Sequence, residues 1–335
     1  MTIPDPKKRR PRTQTPWSRR QFMTRLATLA GGATALTASG IWLRGSEPVR
    51  HRAVEIVKLK DFRLPATTLH PLMAIVHGEH VEPMLREAIH QLGGINRFIQ
   101  KGDRVLLKPN VGWDRMPEQA ANTGPELVLA MARLCHEAHA ETVWVTDVSL
   151  NDPARCFHRS GIQQAAQQAN AQVFIPGKDD FLTTDMGGKL LKIWSVNRLF
   201  HQVDKVINLP IVKHHSLSGC TLAMKNWYGI IGGRRNQLHQ EIHTSIVDLA
   251  AAVRPTLTVM DATRVLKHNG PTGGSLDDVA RYNTLIASLD EVALDSYALG
   301  YLDLTPDKIP FLSLAEARGL GKVRWQDVTR SESQV

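Results

Sequence analysis

Cysteine is scarce in this chain, with three among 335 residues: Cys135, Cys156 and Cys220. No two of them form a C-x-x-C pair, so the chain by itself lacks the thiolates that a four-cysteine iron–sulfur cluster needs. Cys135 lies in an apolar helical pattern and is predicted to be buried as a small hydrophobic residue. An oxidising compartment permits a disulfide, but the spacing of the three cysteines selects no pair.

Motifs for nucleotide binding and serine catalysis are also missing. The chain has no G-x-G-x-x-G after a predicted strand, no phosphate loop ending in Gly-Lys-Ser or Gly-Lys-Thr, and no G-x-S-x-G turn. No motif therefore supports dinucleotide binding, nucleoside triphosphate binding or a serine hydrolase.

Positive charge is concentrated at the N-terminus. The formal net charge is +9, but residues 1–25 hold eight Lys or Arg against one Asp, which leaves +2 for the remainder. A nucleic-acid-binding protein would need a basic face with interleaved aromatic residues on its folded part. Arg234-Arg235 is an isolated pair, so we predict no nucleic-acid partner.

An export signal explains this charge. Ser18-Arg19-Arg20-Gln21-Phe22-Met23-Thr24 follows a basic region and precedes an uncharged apolar run from Leu26 to Leu43. This order is typical of a twin-arginine signal. We therefore predict a signal segment over residues 1–45, recognised by the twin-arginine translocase, and a single periplasmic domain over residues 46–335.

The fate of the signal is open at the sequence level. Ala33-Thr34-Ala35 offers an A-x-A cleavage site, whereas an uncleaved segment would anchor the protein to the inner membrane. Three glycines weaken the segment as a membrane span, which normally needs about 20 apolar residues. Because the route carries folded proteins, often with a cofactor already bound, it favours a cofactor here.

Short apolar strands alternate with helical stretches along the mature chain. This pattern predicts an α/β fold with an open, mostly parallel sheet and helices on both faces. A smaller subdomain over residues 175–250 is compatible with it. The predicted strands cover residues 73–76, 103–108, 141–146, 172–175, 204–209, 257–260 and 283–288, and the main predicted helices cover 81–92, 125–138, 159–169 and 292–300.

Polar residues follow the carboxyl ends of several predicted strands, where open α/β sheets bind ligands. Turns also place Asn and Asp there, but they do not require Lys or His. The group therefore indicates a site formed by Lys108, Asn110, Asp147, Lys213, His214, His215 and Asp261.

The densest polar segment runs from 208 to 229, where a strand is predicted to enter a Lys/His loop and then a short helix. Lys213 and Lys225 are suited to a carboxylate or phosphate. His215 could instead ligate a transition metal, with Cys220 as a soft neighbour. The alternative is structural, with Lys225 and Asn226 ending the helix and His214 facing solvent.

A second histidine pair extends the metal hypothesis. On one helix, His239 and His243 would share a face with a spacing that can hold a metal, to which His215 and Asp147 would contribute. Glu241 does not directly follow the first His, so the zinc-protease arrangement is absent. A solvated helix face is the alternative.

The glycine-rich stretch His268 to Gly274 completes the predicted site. Such a loop lets backbone N–H groups approach an anion closely, so Gly270 and Thr272 are predicted to help bind a cofactor.

Several short motifs together resemble a known family, domain of unknown function family 362, over residues 70–322. The resemblance places Lys108, Asn110, Lys213, His215, Lys225, Asn226 and Asp261 at family motif positions without assigning roles, and the ferredoxin-type clusters of some members are missing here. The motifs are Lys108-Pro109-Asn110, Asn208-Leu209-Pro210 with Lys213 and His215, Thr221 through Lys225-Asn226 and Gly229, His239, Asp261, Asn269-Gly270-Pro271-Thr272 with Gly274, and Ala315-Glu316-Ala317-Arg318-Gly319-Leu320-Gly321.

Two functions fit these residues. The favoured one is a periplasmic enzyme with a metal or anionic cofactor, and the export route favours redox chemistry. The other is a non-catalytic carrier of a metal or anionic small molecule. The enzyme would use His215, Lys213, Lys108 and Asp261 as catalytic residues, Asn110, Lys225, Asn226, Gly270 and Thr272 as cofactor-binding residues, and His215, His239, His243 and Asp147 as metal ligands.

Overall fold

The computed structural model of the chain describes Arg20, Met23, Thr24, residues 55–65 and residues 67–335. The chain divides into two compact units, Met1–Val54 and Glu55–Val335. Apart from Arg20, Met23 and Thr24, the predicted export signal lies outside the described residues. None of the helices in the described parts has the length and apolar character that crossing a bilayer requires.

The second unit contains thirteen strands and nine α-helices within its described residues. The strands are β1 Val57–Lys58, β2 Met73–His77, β3 Arg104–Pro109, β4 Thr142–Thr146, β5 Gln172–Phe174, β6 Phe181–Asp185, β7 Ile193–Asn197, β8 Lys205–Leu209, β9 Ile211–His215, β10 Gly219–Thr221, β11 Leu257–Leu266, β12 Val279–Ser288 and β13 Arg330–Gln334. The helices are α1 Val81–Gln91, α2 Ile95–Phe98, α3 Pro125–Glu137, α4 Pro153–Arg159, α5 Ile162–Gln168, α6 Ala223–Asn226, α7 Ile242–Ala252, α8 Glu291–Ala298 and α9 Pro310–Ala317.

The main sheet has the strand order β13-β2-β12-β11-β8-β3-β4-β5, and β9 joins it beside β11 and pairs with β10. Most neighbouring strands are parallel. The exceptions are β12, which is antiparallel to β2 and β11, and the β9–β10 hairpin. The predicted open, mostly parallel sheet is thus confirmed.

Helices cover both faces of this sheet, because successive side chains of a buried strand point to opposite sides. In β2, Ala74 and Val76 pack with α1 and α3 in one apolar core. Met73 and Ile75 belong to the other core, which contains α6, α7, α8 and α9. Both faces of the sheet are therefore covered by apolar side chains, and polar residues must lie at the ends of the strands.

A small second sheet has the order β1-β6-β7. Strands β6 and β7 come from residues 175–250, where the smaller subdomain was predicted. By its internal contacts, however, the chain from Glu55 to Val335 is one compact unit.

The predicted helix Arg159–Ala169 corresponds to α5, which begins three residues later, at Ile162, and ends at Gln168. Helix α4 was not predicted, and only its last residue, Arg159, falls in the predicted range. Gly161 separates α4 from α5 with a φ of 74°, a left-handed conformation that glycine adopts without steric cost.

Two polar groups lie inside strands and not after them. Asp261 sits within β11, because β11 continues to Leu266 in its pairing with β12. Lys213, His214 and His215 belong to β9, whose pairing with β10 replaces the predicted loop. Lys213, His214 and His215 still lie near a strand end, because β9 begins just beyond the end of β8.

Candidate active site

A cavity of about 300 Å³ lies where β3, β4 and β9 meet α6. We call it the Lys/His cavity. Its volume is at the lower end of the range for small-molecule sites. It is lined by Asn110, Gly112, Trp113, Asp147, Val148, Leu150, Lys213, His215, Ser216, Leu217, Thr221, Lys225, Asn226, Tyr228, Gly229, Arg235, Asn236, His239 and Pro271.

Lys108 lies behind the cavity wall, fully buried, and three oxygen atoms surround its ammonium group. Nζ donates to the carbonyl oxygen of Pro109 at 2.8 Å and to Oδ1 of Asn226 at 3.1 Å, and it forms an ion pair with Asp147 Oδ1 at 2.8 Å. Burial lowers the pKa of Lys108, while the Asp147 carboxylate opposes that shift. Because an ammonium has only three donors, Lys108 has none left for a ligand.

Gly229 leaves room for this ion pair next to the cavity wall, because it has no side chain. A methyl group at residue 229 would overlap Oδ1 of Asp147 and lie 2.7 Å from Nζ of Lys108. The Gly229 carbonyl also accepts a hydrogen bond from the N–H of Val148, at 2.8 Å. Close approach of two backbone segments therefore requires glycine here.

Two asparagine amides link Lys108 to Lys213. Asn226 Oδ1, which accepts from Lys108, also accepts from Nδ2 of Asn110 at 3.0 Å. Asn110 Oδ1 in turn accepts from Nζ of Lys213 at 2.9 Å. Asn226 is anchored by its own Nδ2, which donates to Oδ1 of Asn208 at 2.8 Å. The network fixes the ammonium groups relative to one another.

Lys213 makes two hydrogen bonds within residues 55–65 and 67–335, so its protonated amine keeps one donor for a ligand. Besides Asn110, its ammonium donates to the carbonyl oxygen of Ala121 at 2.5 Å. Burial, with the Lys225 charge as the next cause, lowers the pKa of Lys213 to about 7. This amine therefore exchanges its proton near neutral pH.

Lys225 differs from both other lysines. Its side chain lines the cavity and is only 7% exposed, yet its ammonium has no hydrogen bond or ion pair within residues 55–65 and 67–335. Its Nζ lies over the ring of Tyr228, 4.8 Å from the ring centroid. Burial lowers the pKa of Lys225 to about 8.

Arg235 also lines the cavity, and sequence reasoning missed it. Its guanidinium donates to the carbonyl oxygens of Val148 at 2.8 Å, Ser149 at 2.9 Å and Tyr228 at 3.2 Å. It thereby ties the segment after β4 to the segment after α6. The only signal was its place in the same polar segment as His239.

His215 is held as a neutral imidazole of one tautomer. Its Nδ1 accepts the backbone N–H groups of Leu217 at 3.1 Å and Ser218 at 3.4 Å. Burial, followed by the charges of Lys225 and Lys213, lowers its pKa to about 2. Since Nδ1 is the acceptor, the single ring proton is on Nε2, which is therefore a hydrogen-bond donor.

This tautomer does not fit a metal bound at Nε2. A histidine that ligates a metal through Nε2 donates its Nδ1 proton to a neighbour, and here Nδ1 faces two donors. Cys220, the soft neighbour, is buried, and burial raises the pKa of its thiol well above the usual value. A thiol that keeps its proton is a poor metal ligand.

The other predicted metal ligands do not assemble around His215. His239 lines the cavity, but it lies in the 3-10 segment Arg235–Glu241, whereas His243 belongs to α7 and stacks on Phe311 at 6.1 Å. Asp147 is paired with Lys108 and also accepts the N–H of Val111 at 2.6 Å. Among the described residues, no three His, Cys, Asp or Glu side chains are grouped to hold a metal ion.

Three more predicted residues lie away from the cavity wall. Asp261 accepts hydrogen bonds from the N–H of Gly124 at 2.8 Å and the hydroxyl of Thr263 at 2.6 Å, so it positions the start of α3. Gly270 packs against the backbone of His214, where a methyl group would overlap the carbonyl oxygen. The carbonyl of Thr272 accepts from Arg115 at 3.1 Å. From this loop, Pro271 reaches the cavity.

Comparison with known proteins relates the chain to a family, and the matched residues include those that line the Lys/His cavity. The family described as Domain of unknown function (DUF362) matches residues 105–300. A thylakoid-associated protein of Synechocystis sp. is 29% identical over 244 residues, which cover 70% of this chain and 74% of that protein.

Two solved structures are more distant. The lactate racemase apoprotein from Thermoanaerobacterium thermosaccharolyticum has 10% identity and a TM-score of 0.40, covering 72% of this chain and 60% of that one. A Thermotoga maritima protein has 12% identity and a TM-score of 0.36, with 71% and 58% coverage. This chain thus spans less than two thirds of either solved chain.

Proposed function

We infer that this chain, which belongs to the DUF362 family, binds a small organic anion in the Lys/His cavity and acts on it as an enzyme. The observation that carries the proposal is the Lys225 ammonium, which lines the cavity almost fully buried and has no hydrogen bond or ion pair within the described part of the chain. A buried charge without a counter-ion is costly. An anionic ligand would supply the missing partner.

The hydrogen-bond donors around the cavity match an oxyanion. Lys225 offers three N–H groups, Lys213 has one left, and His215 offers Nε2–H. A carboxylate has two oxygens that accept several hydrogen bonds, and charge-assisted bonds are stronger than neutral ones. A metal cation would instead be repelled by the lysines.

The apolar part of the wall supports an organic ligand over a bare inorganic anion. Trp113, Val148, Leu150, Leu217 and Pro271 line the cavity beside the charged groups. Specific small-molecule sites combine an apolar wall with a few polar groups that fix orientation. The expected ligand therefore has an anionic head and an apolar body.

The two lysine amines favour catalysis over simple binding of the anion. The pKa of Lys213 is about 7 and that of Lys225 about 8, so both exchange protons near neutral pH. A general acid or base works best when its pKa is close to the working pH. A carrier would need only the charges.

Calorimetric titration at pH 7 tests the binding. We expect affinity to rise from acetate to butanoate to 3-phenylpropionate and to be lower for inorganic phosphate. Lys225→Met should weaken binding by about 10- to 100-fold, since it removes charge-assisted hydrogen bonds. The exposed Lys178 provides a matched control, and Lys178→Met should change nothing.

Binding of none of these anions, or equal binding by Lys225→Met, would refute the proposal. Catalysis is tested by incorporation of deuterium from D2O into the carbon next to the carbonyl of 2-oxobutanoate. Incorporation lost in Lys213→Met supports an enzyme, whereas binding without incorporation supports a carrier.

We also propose that the protein acts in the periplasm after export by the twin-arginine translocase, and that the membrane is contacted only if the N-terminal segment is retained. The support is the sequence Ser18 to Thr24 with its basic and apolar flanks. Because this route carries folded proteins, the buried Lys/His cavity would be complete before export.

A further inference from the structure

The Lys/His cavity also presents a nucleophile. We propose that the Lys225 amine forms an imine with the carbonyl carbon of a 2-oxo acid whose carboxylate is held by the other donors of the cavity. This inference rests on the anion-binding function proposed above and adds the substrate class and the reacting atom. Nucleophilic lysines of this kind lie in desolvated surroundings or next to another cation.

Within the described part of the chain, one of the three buried lysines, Lys225, has an amine without a hydrogen bond or ion pair. Lys108 has three acceptors around its Nζ, and Lys213 has two. Lys225 has none within the described residues, and it lines the cavity. Attack on a carbonyl needs a nitrogen lone pair that no neighbour occupies, so Lys225 is the candidate.

The protonation state is compatible with attack near neutral pH. The lowered pKa of Lys225, about 8, leaves roughly a tenth of its amines neutral at pH 7. A surface lysine with a pKa near 10.4 would have fewer than about one in a thousand neutral. The position of Lys225 in the cavity selects it as the nucleophile, and the burial that lowers its pKa makes it reactive.

The remaining donors point to a carboxylate next to the carbonyl. His215 Nε2–H and the last N–H of Lys213 are available once the Lys225 nitrogen is bonded to carbon. Trp113, Leu150 and Leu217 would surround the apolar substituent of the 2-oxo acid. The iminium keeps the positive charge, so the pairing with the carboxylate is preserved.

The step balances without an external oxidant or reductant. The Lys225 ammonium first loses one proton, the neutral Nζ attacks the carbonyl carbon, and the π pair moves to oxygen. A proton then passes from the nitrogen to that oxygen, which gives a carbinolamine with a nitrogen lone pair. The proton lost at the start returns to the hydroxyl group, the C–O bond breaks as water leaves with that pair, and the nitrogen lone pair forms the C=N bond. The sum is one 2-oxo acid plus one ammonium giving one iminium plus one water.

Reductive trapping tests the proposal with the full chain. The protein is incubated at pH 7.5 with phenylpyruvate and sodium cyanoborohydride, and the product is analysed by intact mass and peptide mapping. We expect one reduced adduct per chain at Lys225. Lys178→Met should be trapped normally, whereas Lys225→Arg, which keeps the charge but has no amine, should not be trapped.

A carboxylate without the carbonyl separates the two proposals. If 3-phenylpropionate binds to the wild type but phenylpyruvate gives no adduct, the imine is refuted and anion binding stands. If neither compound binds, the function proposed above fails as well. An adduct at Lys213 or at surface lysines, or one that persists in Lys225→Arg, overturns the assignment to Lys225.

Discussion

The three buried lysines of the site differ in how many N–H groups they can offer to a ligand, because they have different numbers of hydrogen-bond acceptors around them. Lys108 is saturated by Pro109, Asn226 and Asp147, so its charge is structural. Lys225 has no such partner in the described chain, so its charge is available. The distinction depends on neighbours and not on residue type.

Stability should depend on pH through Lys225. Burial lowers its pKa from 10.5 to about 8. Between these values the unfolded chain binds more protons than the folded one, so the free energy of unfolding rises with pH. Stability is therefore lost as pH falls from about 10.5 to about 8, and this loss is complete below 8, where the buried amine is charged in the folded protein as well.

Lys225→Met should remove the part of the pH dependence that comes from Lys225. Compared with the wild type, the variant is expected to be more stable by up to about 3 kcal/mol at pH 6 to 7, and this advantage should shrink towards zero by pH 10.5. Urea denaturation at several pH values measures the difference. A difference that stays constant over this range would mean that the Lys225 pKa is normal.

Gly229→Ala should destabilise the protein through the Lys108–Asp147 pair. The added methyl group overlaps Asp147 Oδ1, so the backbone or the ion pair must shift. We expect a loss of about 1–3 kcal/mol in the free energy of unfolding, as for other overpacked sites. Gly300→Ala is the control, because a methyl group there meets nothing within 4 Å. Equal effects of the two changes would contradict this account.

At the scale of single elements, the four-residue helix α6 carries both Lys225 and Asn226 and is too short to be stable alone. Asp295 of α8 accepts the N–H groups of Ala223 at 2.7 Å and Met224 at 3.1 Å, and so holds its first turn. The orientation of the two site residues therefore depends on a helix about seventy positions further along the chain.

Removing that carboxylate should loosen α6. Asp295→Ala leaves two backbone N–H groups without an acceptor and should cost about 1–2 kcal/mol, whereas Asp295→Asn keeps one acceptor oxygen and should cost less. Urea denaturation measures both losses. Calorimetry should also find weaker 3-phenylpropionate binding by the Ala variant. Equal losses in Ala and Asn would show that Asp295 does not act as the cap.

At the scale of the whole molecule, an apolar core covers each face of the main sheet, and the Lys/His cavity lies at the strand ends, beyond these cores.

Export is predicted from the N-terminal sequence alone. Replacing Arg19 and Arg20 by Lys should stop export, because the translocase recognises the arginine pair. Cell fractionation and immunoblotting would then find the protein in the cytoplasm. Periplasmic protein in the Lys-Lys variant would refute a twin-arginine signal.

Much of the architecture could be predicted because it depends on local patterns. Strands such as β2, β3 and β4 are apolar runs bounded by polar residues, and their ends differ from the prediction by at most one residue. The same patterns could not show that β11 extends through Asp261, since its extension depends on pairing with β12. The cavity residues Arg235, Trp113 and Tyr228 were missed although they lie close in sequence to predicted site residues, because the packing of other segments decides which side chains of a segment face the cavity.

The sequence by itself determined the α/β class, the parallel sheet and the collection of Lys, His and Asn that forms the cavity wall, because alternation and strand ends are local properties. Only the tertiary structure decided what those residues can do. It joined Lys108 to Asp147, committed Asp261 to the start of α3, fixed the His215 tautomer and, among the described residues, gave Lys225 no hydrogen bond or ion pair. Hydrogen-bond acceptors and burial come from distant segments, and these determine whether a charge is structural or available to a ligand.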